Sequence, residues 1–479
     1  MKVVIENYGP VHKFEFDTES SFHLIVGTNN VGKSYALSAF YSVLKAVHEL
    51  SSLRNFYILL EDDLAAKEYP SDEDFPTIDM GKQEVKVNAS YRMIAKELFD
   101  STLGAYLSDA IKASYSELSS ISNRFSGEKA KITVGLDFFS VILEGDVDGF
   151  EVIDVQFSED FYLRAVKQNR TTVAQENKII IYRNTKVEKT EKQAVNILRQ
   201  DCIHRVIKCY RDVSYRINDV HYLPASRSGL YLSLQAFGQI IAQLSQSRSL
   251  LSKKIEIPGI SQQLSDYFIK LSNINTSNAK SSSEIEEVAK KIERDVLKGT
   301  IEFDENEKRL YYQPLNTDLR LDLAGTSSMV SEVAPIVAYI RHILTQVSPA
   351  IPARRFRNNL KKYGLFRQVL IIEEPEAHLH PENQIKMTEI YAQLAGLGVS
   401  VVMTSHSNYV FNKLSNIMIK KELLPQNVRC DLFAMTDKGG VGFRQEIDEY
   451  GIDDNNFIDA SQRLLEEKMD LIDSLDDDL

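Results

Sequence analysis

The sequence predicts an α/β protein built on a mixed or parallel sheet with flanking helices. Three continuous apolar runs, at residues 22–26, 369–372 and 399–403, support this class. Strands of a parallel sheet are buried on both faces, so they appear in a sequence as unbroken apolar runs. The first run leads through glycines into a helix-forming stretch, and the other two end in polar residues. These three polar ends carry the candidate functional residues.

The first polar end is a glycine loop, Gly27-Thr28-Asn29-Asn30-Val31-Gly32-Lys33-Ser34. It fits the phosphate-binding pattern of Gly, four free positions and then Gly-Lys-Ser, in which backbone N–H groups and a helix N-terminus surround a phosphate. Lys33 is expected to reach the outer phosphates and Ser34 to ligate Mg²⁺. The alternative, a chance match in a turn, is disfavoured because strand, loop and helix agree. The residues predicted to bind nucleotide here are Gly27, Asn29, Asn30, Val31, Gly32, Lys33, Ser34 and Tyr35.

The composition is ordinary for a globular protein and does not indicate a basic nucleic-acid-binding domain. The chain has 479 residues, is 43% hydrophobic and 26% charged, and carries a formal net charge of −12. Contact with nucleic acid stays possible, because a local basic stripe suffices, and the richest stripe lies at 354–362. No apolar run approaches the ~20 residues that cross a bilayer, and the first residues do not resemble a signal peptide. We therefore expect a cytoplasmic protein without a membrane partner.

The cysteines indicate a reducing compartment. Cys202, Cys209 and Cys430 are an odd number in a long chain, which does not suggest a disulfide framework. Cys202, His204 and Cys209 lack a correctly spaced fourth ligand, so we interpret the cysteines as structural rather than metal-binding.

Residues 1–60 are predicted to be the first part of a nucleotide-binding head. Residues 2–16 indicate a hairpin around the turn Asn7-Tyr8-Gly9-Pro10. Tyr8 is either a stacking partner for adenine or a tyrosine packed within the turn. Residues 34–60 have a long helical pattern.

The middle of the chain is predicted to interrupt this head. The expected parts are an inserted helical and β lobe at 61–215, a return strand of the head at 216–235, a helical lobe with a polar tip at 236–298, the rest of the head at 299–450 and an acidic tail at 451–479. Within the insert, residues 82–125 indicate helix, and residues 131–160 alternate as strands do.

The other two polar ends supply the candidate catalytic residues. Glu373 and Glu374 follow the apolar run at 369–372, and alternation places them on opposite sides of the strand. Glu373 is expected to help hold Mg²⁺, and Glu374 to orient and polarise the attacking water. His406 follows the third run and is expected to contact a γ-phosphate. The alternatives are an exposed strand end for the glutamates and a histidine without a catalytic role.

A second phosphate site is predicted at Ser327 and Ser328, which precede a helix-forming run at 329–347. Small polar residues at a helix start are also ordinary N-caps. Because a helix N-terminus with serine hydroxyls suits an anion, these serines could serve an ATP that is held mainly by another subunit.

Together these motifs resemble the ABC-class ATPases, in particular the soluble group of RecF, SMC heads and OLD-family proteins. The resemblance rests on the glycine loop, Asn7-Tyr8-Gly9, Ser327-Ser328, Thr404-Ser405-His406 and the run from Ile371 to Pro381. The last contains Glu-Glu-Pro-Glu-x-His-Leu-His-Pro, which is specific to the OLD-like branch. The match covers the two ends of the chain, and the middle agrees only in layout.

The resemblance implies an ABC-type P-loop head, split by inserted α+β and helical lobes, that uses ATP and Mg²⁺. It also implies a head-to-tail homodimer or higher homo-oligomer, with each ATP between the loop of one subunit and the serine-led helix of the other. Glu376 to His380 would then cross the interface, and a metal site at His378 and His380 is the rival interpretation.

The sequence departs from the family pattern in three ways. Glu373 stands where most such ATPases have Asp, and Met329 replaces a glycine expected after the serines. The glutamine that usually senses Mg²⁺ is not identified, and Gln156 is a weak candidate.

By analogy with stand-alone ATPases of bacterial anti-phage systems, the resemblance implies an ATP hydrolase that controls a partner effector, a nuclease or toxin. Only ~70 residues follow His406, fewer than the ~100 of an ordinary domain, so we expect the ATPase without a nuclease domain. The alternative is a RecF-like DNA repair ATPase that binds DNA directly through residues 354–362. A scaffold with little turnover is disfavoured by Lys33, Glu374 and His406. A transporter ATPase is disfavoured by the insert at 61–215 and by the lack of a glycine-rich signature.

Overall fold

The computed structural model describes residues 1–52, 84–115, 121–146, 148–166, 178–182, 187–231, 261–274, 284–345, 367–452 and 458–476. Its strands are β1 Lys2–Tyr8, β2 Val11–Asp17, β3 Phe22–Gly27, β4 Glu84–Lys86, β5 Ala130–Gly135, β6 Phe139–Asp146, β7 Gly149–Phe157, β8 Tyr162–Val166, β9 Lys178–Tyr182, β10 Ile217–Leu223, β11 Gly299–Asp304, β12 Arg309–Pro314, β13 Leu321–Asp322, β14 Arg367–Glu373, β15 Val399–Ser405, β16 Val428–Thr436, β17 Gly439–Arg444, β18 Ile447–Asp448 and β19 Gly451–Ile452. Its α-helices are α1 Lys33–Ser52, α2 Asn88–Phe99, α3 Ala105–Ser114, α4 Val187–Arg216, α5 Gln262–Ser272, α6 Glu284–Ile292, α7 Ser328–His342, α8 Pro381–Gly396, α9 Asn408–Ile419 and α10 Ile458–Asp476.

The predicted α/β class is confirmed by a mixed sheet that runs through the described residues. Its 11 strands follow the order β10-β14-β15-β3-β16-β17-β2-β1-β5-β6-β7. The strands β10, β14, β15, β3 and β16 are all parallel to one another. Their carboxyl ends therefore lie along one edge of the sheet, which is where ligands bind in open α/β sheets.

Helices cover both faces of this parallel part, so its strands are apolar on both sides. Alternate residues of β14 show the division: Val369 and Ile371 join the core that contains α1, whereas Leu370 and Ile372 join the core that contains α7 and α8. Every residue of β3 and of β15 is buried. This double burial explains why the three apolar runs do not alternate.

The N-terminal hairpin is present, with β1 antiparallel to β2. On its other side β1 pairs with β5, and β6 and β7 continue the same sheet in antiparallel order. The alternating residues predicted as strands therefore extend the central sheet, although they come from the segment assigned to an insert. The division of the chain into domains stays a prediction.

The local predictions need one correction. Within the segment 82–125 predicted to be helical, residues 84–86 form a strand, residues 88–114 are helical with a π-helical turn between α2 and α3, and residues 122–125 are not helical. Residues 116–120 lie outside the described residues. The acidic segment 61–79, the basic stripe 354–362 and the last three residues of the tail lie outside the described residues. Among the described helices, none is long and apolar enough to cross a membrane.

Candidate functional site

Three predicted site segments meet at the carboxyl edge of the parallel strands. Glu373 at the end of β14 lies beside Thr404 of β15, and Ser405 of β15 lies beside Val26 of β3. The glycine loop follows β3 directly. The fold thus gathers at one edge the glycine loop, the carboxylate pair and the histidine, which are more than three hundred residues apart in the chain at their extremes.

The glycine loop has a backbone that requires glycine at its start. Gly27 has a φ of +151°, and a Cβ there would lie 2.2 Å from the carbonyl oxygen of Phe433. Asn30 adopts a left-handed φ of 63° and Gly32 a φ of 103°. Asn29 and Asn30 are exposed and Val31 is buried, so the turn is held by its apolar residue while its outer surface is open to a ligand. The loop passes directly into α1, which begins at Lys33.

Lys33 is directed into the loop rather than into solvent. Its side chain is 7% exposed, and its Nζ donates hydrogen bonds to the carbonyl oxygens of Gly27 at 3.1 Å and Thr28 at 2.7 Å. Burial lowers the pKa of Lys33 to about 8, against the opposing effect of nearby carboxylates, of which Glu374 is the strongest. The amine is therefore held against the loop, and an anionic ligand bound there would stabilise its charged form.

Ser34 and Glu373 form an oxygen-rich pair beside Lys33. Ser34 is exposed and lies close enough to Glu373 to affect its pKa, and the Oε1 of Glu373 accepts a hydrogen bond from the phenol of Tyr222. Burial raises the pKa of Glu373, and the hydrogen bonds from Tyr222, the Ala225 N–H and Ser34 act in the opposite direction. A hydroxyl and a carboxylate at one point are the hard oxygen donors that Mg²⁺ prefers, so these residues fit the ion.

Glu374 lies on the open side of the site and contacts His406. The Nε2 of His406 is 3.5 Å from Oε1 of Glu374, and the two side chains are 29% and 42% exposed. The hydrogen bond from His406 lowers the pKa of Glu374, and the positive charge of Lys33 adds to this effect. Glu374 is therefore a solvent-accessible carboxylate that can accept a hydrogen bond from water. Its φ of 42° is uncommon for a residue with a side chain, and such conformations concentrate at functional sites.

Three residues that the sequence interpretation missed support this arrangement, namely Tyr222, Arg227 and Glu332. Glu376 supports it as well, although the sequence analysis assigned it only to a subunit interface. Glu376 is buried, and its Oε1 accepts hydrogen bonds from the hydroxyl of Ser405 at 2.8 Å and the backbone N–H of His406 at 2.7 Å. It therefore fixes the backbone that carries the histidine. One sequence signal could have revealed such residues, namely a charged residue next to or inside an apolar segment. Glu332 lies within α7, and Arg227 lies shortly after β10.

The predicted second phosphate site lies at the start of α7. Ser327 is the N-cap of α7, and its hydroxyl accepts a hydrogen bond from the N–H of Val330 at 3.4 Å. Ser327 and Ser328 are both exposed, and Met329 is half-buried. Within the described part of the chain, neither serine is hydrogen-bonded to the glycine loop. The capping role is thus visible in the structure, and the phosphate role of these serines stays a prediction.

Two aromatic residues of the predicted site belong to a packed cluster. Tyr8 is fully buried, with its ring edge-on to Tyr35 and to Tyr115 at centroid distances of 6.3 Å and 6.2 Å. Tyr8 therefore packs within the turn and cannot stack on adenine. Tyr35 is half-buried and stacks on Tyr115, so only part of its ring is available to a nucleotide.

The weak candidate for a magnesium-sensing residue is wrong. Gln156 lies on β7, the far edge of the sheet, and its amide donates a hydrogen bond to Asp154. Seven strand spacings separate β7 from β3 in the strand order, a path of ~34 Å across the sheet at ~4.8 Å per spacing.

The rival metal sites lack support among the residues described. There, no group of three or more His, Cys, Asp and Glu side chains is placed to hold a metal ion. Cys202, Cys209 and Cys430 are buried, as expected for structural cysteines. His380 is the N-cap of α8, where its ring accepts from the Glu382 N–H.

Comparison with known proteins identifies a related family. The sequence profile of a family described as an AAA ATPase domain matches residues 1–411. Solved structures with similarity include an SMC head bound to the C-winged helix domain of ScpA, with 10% identity, coverage of 93% of this chain and 98% of that one, and a TM-score of 0.35. The SMC head domain from Thermotoga maritima has 9% identity, coverage of 93% and 98%, and a TM-score of 0.33. The SMC head with an extended coiled coil bound to the C-terminal domain of ScpA, derived from Pyrococcus furiosus, has 11% identity, coverage of 98% of each chain and a TM-score of 0.34. No curated protein matches the chain.

Proposed function

The chain belongs to the AAA ATPase domain family, and from that premise we propose that it binds ATP with Mg²⁺ at residues 27–34 and hydrolyses it with the help of Glu374. The proposal is carried by one observation, the convergence of a phosphate loop, a carboxylate pair and a histidine at adjacent strand ends. Each of these groups answers a separate need of phosphoryl transfer, which depends on positioning and on neutralising charge.

The proposed division of work follows the contacts of each side chain. The backbone N–H groups of the loop and the start of α1 receive the phosphates. Lys33 exchanges its bonds to the carbonyls of Gly27 and Thr28 for bonds to phosphate oxygens. Ser34 and Glu373 hold Mg²⁺, which supplies charge neutralisation when it is bound. Glu374 orients the attacking water, and His406 stays within contact of Glu374.

We propose further that a second copy of the chain completes the site through Ser327 and Ser328. Both serines are exposed, and the first turn of α7 carries no acidic residue that would repel a phosphate. A helix N-terminus of this kind favours an anion by its dipole and by its free N–H groups. ATP would then join two subunits head-to-tail, and hydrolysis would release them.

The proposed purpose of the cycle is control of a separate effector, a nuclease or toxin, in bacterial anti-phage defence. This part rests on the OLD-like pattern in residues 373–381. The exposed apolar side chains of α10 are compatible with a protein partner, since Leu464 is 68% exposed and Met469 58% exposed. The test is to co-express the protein encoded beside this chain and to compare its nuclease or toxin activity with wild type and with Lys33→Ala. Equal activity in the two cases would remove effector control by ATP.

The hydrolytic role is tested with Glu374→Gln. The variant should bind ATP as wild type does, lose turnover by roughly a hundredfold or more, and accumulate ATP-bound dimers in size-exclusion chromatography with light scattering. Glu382→Gln is the matched control, because Glu382 is an exposed carboxylate a short distance along the chain at the start of α8. Normal turnover in Glu374→Gln would show that another group acts on the water.

A further inference from the structure

A buried arginine joins the backbone of the carboxylate pair to the rest of the subunit. Arg227 is 0% exposed and is the largest fully buried side chain among the described residues. Its guanidinium donates hydrogen bonds to the carbonyl oxygens of Pro224 at 2.9 Å, Glu373 at 2.8 Å and Glu374 at 3.2 Å. Two of these three acceptors are the main-chain groups of the residues proposed to hold Mg²⁺ and to orient water.

The partner of this arginine lies on the serine-led helix. Glu332 of α7 is 2% exposed, and its Oε2 accepts a hydrogen bond from the backbone N–H of Arg227 at 3.0 Å and lies 3.4 Å from Nε of that arginine. Its other oxygen, Oε1, accepts hydrogen bonds from the N–H and hydroxyl of Ser228. Glu332 is four residues after Ser328, about one helical turn.

These contacts connect the strand end that carries Glu373 and Glu374 to the helix α7. A buried ion pair tolerates little displacement, because separating its charges in a low-dielectric interior leaves each one uncompensated. Fixing the Glu374 carbonyl also restrains a residue whose φ of 42° lies in the left-handed region. The direction of the Glu374 side chain therefore depends on Arg227, and the position of Arg227 depends on α7.

We propose that the Arg227–Glu332 pair ties the carboxylate strand end to the serine-led helix of the same subunit, so that Arg227 positions Glu374 for its own site while Glu332 positions Ser328 for the site of a neighbouring copy. Arg227 and Glu332 are positioning residues, since both side chains are buried and act through the Glu374 backbone and through α7. The inference rests on the proposed function. It adds to that function a fixed spacing, within one subunit, between Glu374 of its own site and Ser328, which contributes to the site of the neighbouring copy.

The test uses Glu332→Gln with two readouts, one for each end of the tie. ATP affinity of the isolated subunit should stay within about threefold of wild type, because the glycine loop is untouched. The kcat, measured at protein concentrations that saturate dimer formation, should fall at least tenfold, as expected when a reacting group is misplaced. In a Glu374→Gln background, the dissociation constant of the ATP-bound dimer should rise at least tenfold. A fall in kcat with an unchanged dimer constant, or the reverse, would overturn the tie.

Two further variants separate positioning from stability. Glu293→Gln is the matched control, because Glu293 is also buried and pairs with Arg341 at the other end of α7. It should lower the melting temperature without changing either readout. The double variant Arg227→Met with Glu332→Leu replaces the ion pair by apolar side chains of similar size, which restores stability in comparable cases. It should have a melting temperature close to wild type and still show both defects. Normal kcat and normal dimer formation in this double variant would refute the proposal. The proposed function would be refuted by a different result, namely that Glu374→Gln hydrolyses ATP as fast as wild type.

Discussion

At the scale of single residues, Lys33 connects the chemistry of the site to pH. Burial holds its pKa at about 8, below the usual value near 10.4, so the amine of the free protein loses its charge as pH rises through 8. Bound phosphates favour the charged form and raise this pKa. ATP binding above pH 8 should therefore be accompanied by proton uptake, and affinity should fall between pH 7 and pH 9.

Calorimetry in two buffers of different ionisation enthalpy measures this uptake, which should reach about half a proton or more per ATP near pH 8.5 by linkage. Lys33→Met should abolish both the uptake and most of the affinity. An affinity that is constant from pH 7 to pH 9, with no proton exchange, would show that Lys33 is already fully charged or makes no contact with phosphate.

Tyr222 carries the second prediction, which concerns the ion. The hydrogen bond from its phenol opposes the effect of burial on the pKa of Glu373. Tyr222→Phe should therefore raise that pKa, and a proton should compete better with Mg²⁺. We expect the Mg²⁺ concentration for half-maximal stimulation of nucleotide binding to rise by about 10–100-fold, with a larger defect at pH 6 than at pH 8.

The control is Tyr41→Phe. Tyr41 packs edge-on against Tyr222, but its hydroxyl donates to Asp266 instead. If both variants shift the Mg²⁺ titration equally, the effect comes from packing and not from the hydrogen bond to Glu373. Titration of Mn²⁺ in place of Mg²⁺, followed by electron paramagnetic resonance, reports binding of the ion without relying on turnover.

The residues predicted from the sequence belong to local patterns, whereas the missed residues form pairs that are distant in the chain. Lys33 and Ser34 are set by spacing within eight consecutive positions, and Glu373 and Glu374 by an apolar run directly before them. Tyr222 meets Glu373, and Arg227 meets Glu332, across more than a hundred residues of chain. Such pairs depend on which strands become neighbours, and no local pattern states that.

At the scale of elements, the start of α7 has two adjacent serines with different duties. Ser327 caps the helix, so Ser327→Ala should cost about 1 kcal/mol of stability. Ser328 makes no capping bond in the described structure, and an acidic residue in a first helical turn is favourable by about 0.3–1 kcal/mol. Ser328→Asp should therefore preserve or raise the melting temperature, yet repel the phosphates of a nucleotide held by another subunit.

The measurement is ATP-dependent dimerisation in a Glu374→Gln background by analytical ultracentrifugation. Ser328→Asp should abolish the dimer while leaving ATP binding by the single subunit intact, and Ser328→Ala serves as the uncharged comparison. Dimers that form normally with Ser328→Asp would place the start of α7 away from the nucleotide.

Strands that are buried on both faces were predicted well. Strand pairing was predicted less well where the paired strands are distant in the chain. The strands β3, β14 and β15 were evident because helices bury both of their faces. Strands β5, β6 and β7 were evident from alternation, but their membership of the central sheet was not, because β5 joins it by pairing with β1 more than a hundred residues earlier. The strand at 84–86 interrupts a helical pattern and pairs with β8, a contact that periodicity alone does not reveal.

At the scale of the whole molecule, each subunit carries two separate functional edges. The glycine loop, Glu374 and His406 lie together at the strand ends, and Ser327 and Ser328 stand exposed at the start of α7. A closed two-fold dimer would use both edges of both copies, in keeping with the symmetry of most homo-oligomers. This arrangement makes a prediction that no single-subunit enzyme would satisfy.

Two inactive variants should restore activity when they are mixed. Lys33→Ala loses the loop but keeps the serines, and Ser328→Asp loses the serine contact but keeps the loop and Glu374. In a mixed dimer, the loop of the second variant meets the serines of the first, so one of the two sites is intact. With random pairing, about half of the dimers are mixed, and the mixture should regain about a quarter of wild-type ATPase activity for a two-site closed dimer.

The control mixes Lys33→Ala with Glu374→Gln, two variants whose defects both belong to the loop-bearing half of a site. Every loop in that mixture either fails to bind or lacks its carboxylate, so activity should stay absent. If the first mixture is as inactive as the second, the nucleotide is not shared between copies of this chain.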